Sequence, residues 1–125
     1  MKILLVDDAV LERKLLVGLL RKSGVQNEIL EAVDGEEALE VLAGNYKDVG
    51  LILLDWQMPN MDGLEFMKGV LKVPQVSSIP IVMVTASGSE ENQRQAREVN
   101  PNLAGYIVKP YKPEIVISMI STYLK

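Results

Sequence analysis

An α/β fold built on a parallel sheet is the class this sequence predicts, and three observations predict it. Strand-like apolar runs and helix-like periodic segments alternate five times along the chain, which is the pattern of βαβ units. The clearest strand-like runs are short and almost wholly apolar, as parallel strands covered on both faces must be. Four of them end in side chains able to do chemistry: Asp7-Asp8, Asp55, Thr85 and Lys109. In open α/β sheets, ligands bind at the carboxyl ends of the strands.

The elements follow in order. Lys2 to Val6 is the first strand. Leu11, Leu15 and Leu19 then recur at helical spacing, Leu16 and Leu20 widen the stripe, and the helix stops near Ser23-Gly24. The second strand, Glu28 to Ala32, is short and partly polar, as suits a sheet edge. Asp34 caps the second helix while Glu37, three residues on, reaches back, and Ala38, Leu39, Leu42 and Ala43 form its buried stripe. Val49 to Leu54 is the third strand, apolar enough to lie at the centre of the sheet. Asp62-Gly63-Leu64-Glu65 repeats the capping pattern and opens a third helix presenting Leu64, Met67 and Leu71, ended by Pro74. The run from Ile79 leads as the fourth strand into Thr85. A capping box of Ser87 and Glu90 is expected to start the fourth helix, about Gly88 to Val99. Its body, Glu91 to Arg97, is almost entirely polar, so it is predicted to be the loosest element. Ala104 to Val108 is the fifth strand, and the last helix, Pro113 to Tyr123, buries Ile115, Val116, Met119 and Ile120.

Bulk composition narrows the chemistry. A chain of 125 residues, 48% hydrophobic, fits one folded domain spanning 1–125. The absence of cysteine excludes disulfides and zinc–thiolate sites, and the absence of histidine removes imidazole as base, ligand or phosphoryl carrier. A formal net charge of −4 with no basic patch argues against a nucleic-acid or anionic-membrane partner. Arg13-Lys14 with Arg21-Lys22 read as a solvated helix face. No apolar stretch is long enough to cross a bilayer, and Met1-Lys2-Ile3 reads as a strand rather than a signal peptide, so a cytoplasmic protein is expected.

The polar strand ends form an ordered signature. It comprises Asp7-Asp8 after strand one, then Asp55 in the phrase Asp55-Trp56-Gln57-Met58-Pro59-Asn60-Met61-Asp62-Gly63. Thr85-Ala86 follow strand four, and Tyr106 stands three residues before Lys109-Pro110. With these residues in this order, the chain resembles the receiver domain of bacterial two-component response regulators over its whole length, most closely the single-domain, CheY-like type. The resemblance implies a doubly wound, five-stranded parallel sheet in the flavodoxin-like order 2-1-3-4-5 with five helices, an order for which CheY is itself a standard example. It implies that Asp55 accepts a phosphoryl group as an acyl phosphate. It also implies that Asp8, Asp55 and the backbone carbonyl of Gln57 bind Mg²⁺ (or Mn²⁺), with Asp7 acting through water. Electrostatics agrees: clustered carboxylates repel one another and an incoming phosphoryl group, and a hard divalent cation relieves both. By the same resemblance Lys109 neutralises the transferred phosphoryl, Thr85 donates a hydroxyl, Ala86 leaves room for backbone N–H groups, and Pro110 follows a cis bond.

Output is then expected through Thr85 and Tyr106. As Thr85 moves to the phosphoryl group, the Tyr106 ring passes from an exposed rotamer into the vacated space, biasing a two-state equilibrium. The implied partners are a sensor histidine kinase or phosphotransfer protein, and a downstream target on the face of helix four, strand five and helix five. Gln57 and Ser87 lie where the family tunes phosphoryl lifetime. Neither is a strong base, which predicts no unusually fast self-hydrolysis. The segment Val99 to Leu103 looks longer than the usual turn between helix four and strand five.

Plainer readings exist for each residue. Asp7-Asp8 suit a helix N-terminus, Lys109 could be a surface lysine, Tyr106 an ordinary strand aromatic, and Trp56 packing beside the site. An aspartate-nucleophile phosphatase needs a second acid two residues beyond its nucleophile, where this chain has Gln57. A flavodoxin cradles its phosphate with a hydroxyl- and glycine-rich loop, where this chain has Asp7-Asp8-Ala9-Val10. A receiver excised from a longer regulator or hybrid kinase stays open, as does a receiver-like scaffold that is not phosphorylated. The start at Met1 and the stop after the last helix favour a stand-alone protein that turns over no metabolite.

Overall fold

Alternation along the strands builds two hydrophobic cores, one on each face of a single sheet. The computed structural model describes residues 1–124. Strands β1 (Lys2–Val6), β2 (Ile29–Ala32), β3 (Val49–Leu54), β4 (Ile81–Thr85) and β5 (Gly105–Val108) pair in parallel in the order β2-β1-β3-β4-β5. Helices α1 (Val10–Lys22), α2 (Gly35–Asn45), α3 (Gly63–Leu71) and α4 (Glu90–Val99) connect them; α5 (Pro113–Ile120) follows β5, and a 3₁₀ turn, Ser121–Tyr123, follows α5. Successive strand residues face opposite sides. Ile3, Leu5, Leu51, Leu53 and Ile107 pack with Leu16 and Leu20 of α1 and Val116 and Ile120 of α5. Leu4, Val6, Ile52, Leu54 and Met83 pack with Leu42 of α2, Phe66 and Met67 of α3 and Ala96 of α4. The sheet is therefore doubly wound, as the apolar runs predicted.

Strand boundaries follow from hydrogen bonding. The central β3 carries four residues, Leu51 to Leu54, at 0% exposure, which is why its sequence shows no polar alternation. Pro80 has no N–H to give, so β4 begins at Ile81, with the Pro80 carbonyl accepting from Ile52 N–H at 2.9 Å. Asn100, 5% exposed, organises the turn before β5. Its backbone carbonyl accepts from Leu103 N–H at 3.0 Å and its side-chain oxygen from Asn102 N–H at 3.1 Å.

Several helix expectations need correction. Leu16 and Leu20 are buried, but Leu11 and Leu15 are 69% and 59% exposed. Five leucines cover more of the helix than one sheet face can take. The Leu11–Leu15 row lies one residue, about 100°, away from the Leu16–Leu20 row and stays outside. The same offset leaves Ile115 50% exposed beside buried Val116, and Ala43 is exposed at the margin of α2. The α-helical part of α5 stops at Ile120, short of Tyr123. The cap of α4 is Ser89, whose hydroxyl accepts from Asn92 N–H, rather than Ser87. Only Ala96 of that helix is buried, in keeping with its polar sequence. Arg13 is no solvated residue: its guanidinium donates to the Asp7 carbonyl at 2.7 Å and to Glu31 at 3.0 Å.

Candidate functional site

Pairing continues past the formal strand ends and so decides which way the site residues face. Asp7 N–H donates to the Ala32 carbonyl at 3.0 Å, Asp55 N–H to Val6 at 2.9 Å, and Lys109 N–H to Thr85 at 2.9 Å. The alternation therefore persists, placing Asp7, Asp55 and Lys109 above Leu5, Leu53 and Ile107 on the α1–α5 side. Thr85 continues the opposite row, which includes Met83. The carboxylates of Asp7, Asp8 and Asp55 each bring an oxygen within 4.8 Å of the others. Gln57, Thr85, Ala86, Ser87 and Lys109 complete a cleft of about 200 Å³ around them.

Charge organises this cleft. The Lys109 ammonium, 14% exposed, lies 2.7 Å from Asp7 Oδ2, 3.6 Å from Asp55 Oδ2 and 3.6 Å from Glu12 Oε2. Burial alone would lower its pKa, but the Asp7, Asp55 and Glu12 carboxylates outweigh it and hold the ammonium above its ordinary value. Asp55 is also raised, which for a carboxyl disfavours the charged form. Burial pushes it up, and the Thr85 hydroxyl, the Lys109 charge and the Trp56 N–H only partly offset this. Trp56 N–H donates to Asp55 Oδ1 at 2.7 Å and fixes the plane of the carboxylate. The Lys109–Pro110 peptide is cis.

A second set of bonds leads away from the cleft. Thr85, 1% exposed, accepts the Ser87 N–H on its hydroxyl at 3.1 Å. The Ser87 carbonyl in turn accepts the hydroxyl of Tyr106. Tyr106 is 9% exposed, so the ring occupies the inward position rather than the exposed rotamer expected as its starting point. Burial, and next the charge of Asp55, push its hydroxyl pKa up.

Asp7, Asp8, Asp55, Gln57, Thr85, Ser87 and Lys109 all line this cleft, whereas Tyr106 does not and connects to it through Ser87; one plain reading falls away. Ala9 is the N-cap of α1 and makes no side-chain cap bond, and the Ala9 N–H goes to Asp7 Oδ1 at 3.0 Å, so capping does not explain Asp8. Glu12 was not anticipated. It stands one helical turn beyond Asp8, which was its only signal. Asp7, Asp8 and Asp55 form an all-oxygen donor set that one ammonium leaves unbalanced, and it fits a hard divalent cation. A larger apolar groove of about 340 Å³ between the C-terminal halves of α2 and α3, with Leu39, Tyr46 and Val73 in its wall, offers no reactive group.

With this geometry in place, comparison with known proteins is decisive. The sequence profile of the response regulator receiver domain matches residues 3–121. The chain belongs to the response regulator receiver family. It is 37% identical over 116 residues to a chemotaxis protein CheY homolog of Campylobacter jejuni, covering 93% of this chain and 86% of that one. The receiver fold superposes on the chemotaxis response regulator CheY4 of Vibrio cholerae with a TM-score of 0.84, at 32% identity and 98% coverage of both chains. Another relative is the CheY of a Borrelia burgdorferi CheX–CheY complex containing BeF3 and Mg²⁺. Its TM-score is 0.86 at 26% identity, covering 100% of this chain and 90% of that one. The strand order of this receiver is the one the sequence resemblance implied. Among the described residues, no helix is long and apolar enough to cross a membrane.

Proposed function

We propose that residues 1–125 form one receiver domain that acts as a phosphorylation-activated switch, with Asp55 as the phosphoryl acceptor. The observation that carries this reading is the position of Asp55. Its carboxylate is half-buried at a sheet mouth, oriented by the Trp56 N–H and faced by Lys109, Thr85 and an acidic cluster. A carboxylate oxygen attacks phosphorus and forms an acyl phosphate. The bond from phosphorus to the donor's nitrogen or oxygen breaks, and its electron pair leaves with the donor. Such transfer is mostly positioning and charge stabilisation. Asp8, Asp55 and the Gln57 carbonyl would hold Mg²⁺ or Mn²⁺, with Asp7 acting through water. A cation there offsets the negative charge of the carboxylates and of the phosphoryl oxygens. Lys109 neutralises the phosphoryl from the other side.

Thr85 links the chemistry to the surface. Its hydroxyl turns toward the phosphoryl group and releases the Ser87 N–H, so the loop whose carbonyl holds Tyr106 shifts its equilibrium. The readout is a changed α4–β5–α5 face, recognised by a downstream protein target. The phosphoryl donor is a sensor histidine kinase or phosphotransfer protein, the setting is cytoplasmic, and the names of the relatives favour a chemotaxis-type pathway. Gln57 and Ser87 tune the lifetime of the acyl phosphate. Neither side chain is a strong base, which favours slow self-hydrolysis. The domain catalyses only its own modification.

Intact mass after incubation with acetyl phosphate tests this directly. One phosphoryl group is expected on the wild type with Mg²⁺, and none without Mg²⁺ or on Asp55→Asn. No adduct, together with no change in Trp56 fluorescence on adding beryllofluoride and Mg²⁺, would sink the switch and leave a binding scaffold.

A further inference from the structure

Asp34 does more than cap a helix. It is 7% exposed and divides its two carboxylate oxygens between two elements. Oδ1 accepts the Glu37 N–H at 2.8 Å, which is the cap of α2. Oδ2 accepts the side-chain amide of Asn60 at 2.8 Å, across to the loop between β3 and α3. Asn60 holds a left-handed backbone conformation, with φ at 64°, that asparagine tolerates better than most residues.

Beside this bond runs a second one, from Gly35 N–H to the Met61 carbonyl at 2.9 Å. The approach is so close that a Cβ on Gly35 would lie 2.6 Å from Met61 Cγ and 2.7 Å from the Met61 carbonyl oxygen. The loop is also closed on itself, by Met61 N–H to Pro59 and Gly63 N–H to Trp56, both at 2.7 Å. Segment 56–63 is thus a closed ring fastened sideways to the turn before α2. That ring carries the Trp56 N–H that orients Asp55, and the Gln57 carbonyl at the edge of the cleft.

We propose that Asp34 is a positioning residue for the phosphoryl and metal site, acting through Asn60 on the loop that presents Gln57 and Trp56. Capping α2 needs only one carboxylate oxygen; the bond from Asn60 to the other has a separate consequence. It is charge-assisted, and its carboxylate end is buried while the Asn60 side reaches the surface, so the bond holds the loop against a fixed point of the fold. The inference rests on Asp55 being the acceptor and on a divalent cation binding beside it.

Two variants cut the link without removing the helix cap. Asp34→Ser keeps an oxygen for the Glu37 N–H but nothing for Asn60, and Asn60→Gly keeps the left-handed conformation but loses the amide. Mg²⁺ affinity is read from Trp56 fluorescence, phosphorylation rate from intact mass with acetyl phosphate, and stability from urea unfolding on the same samples. Each variant is expected to weaken Mg²⁺ binding roughly three- to tenfold. That is less than the 10–100-fold typical when the lost partner touches the ligand itself. The double variant is expected to be no weaker than the worse single one, because both break one connection. Wild-type Mg²⁺ affinity in either variant, with or without a lower urea midpoint, would overturn the proposal, as would losses that add in the double variant. A wild type that takes up neither Mg²⁺ nor phosphoryl would bring down the receiver chemistry itself, an outcome distinct from failure of the link.

Discussion

As the proposed phosphoryl acceptor, Asp55 must be ionised to attack phosphorus, yet it sits where burial disfavours that charge. Its folded pKa is raised above the unfolded one, so between the two the folded state binds the extra proton and stability falls as pH rises. The burden is fully present above the folded pKa and disappears below the unfolded one. In the absence of divalent cations, Asp55→Asn is therefore expected to melt higher than the wild type at neutral pH. The difference should shrink as pH drops through the ordinary carboxylate range, near pH 4. Thermal melts of the two proteins across this range check the sign, and equal melting at pH 7 would mean that Lys109 and Thr85 cancel the burial. Asp7, Asp8, Asp55, Thr85 and Lys109 were legible because each ends an apolar run. Glu12 was not, because a helix brings it to the site and only the helix's rotation against the sheet says which of its residues arrive. The sequence also left open that Lys109 lies closer to Asp7, at 2.7 Å, than to Asp55, at 3.6 Å.

Helices α3 and α4 both begin with a side-chain cap, yet they are held very differently. Asp62 accepts the Glu65 N–H while the Glu65 carboxylate returns to the Asp62 N–H, and α3 buries Leu64, Phe66, Met67 and Val70 behind this box. Ser89 gives α4 the same kind of start, but Ala96 is the only residue buried behind it. Removing a cap from a well-packed helix lowers the stability of the whole fold. Removing one from a weakly packed helix lets that helix open by itself. Asp62→Ala is expected to lower unfolding stability by about 1 kcal/mol in urea. Ser89→Ala should leave the urea midpoint nearly unchanged and instead speed amide hydrogen exchange within α4. The capping pattern of α3 was readable because both partners lie within one turn. That of α4 was misplaced by two residues because Ser87, with Glu90 three residues on, offers the fuller sequence signature, yet Ser87 is held by Thr85 and Tyr106.

At the scale of the whole molecule, a cation held by the acidic cluster would make folding and cation binding one equilibrium. Bringing Asp7, Asp8 and Asp55 within 4.8 Å opposes folding, and any cation that binds only the folded cluster adds stability by mass action. Mg²⁺ at a hundred times its dissociation constant is expected to stabilise the wild type by about 2.7 kcal/mol. That shift in the melt should be largely absent in Asp8→Asn. A melt insensitive to Mg²⁺ would remove the metal from the proposed chemistry. The cation would also bridge β1 and β3, neighbours at the heart of the sheet, so its effect should be global rather than confined to one loop.

By itself the sequence determined the class of fold, the order of its elements and the acids, hydroxyl and lysine at the strand ends. Two-residue alternation and apolar run length are local properties, and the residue that ends a buried run must lie at the sheet mouth. Tertiary structure alone decided which leucine row of α1 is buried, why Arg13 leaves solvent, that Tyr106 points inward, and that Asp34 reaches Asn60. Each of these joins residues from different elements, or depends on how a helix is turned against the sheet. Their energies are long-range packing and hydrogen bonding, which no window of sequence contains.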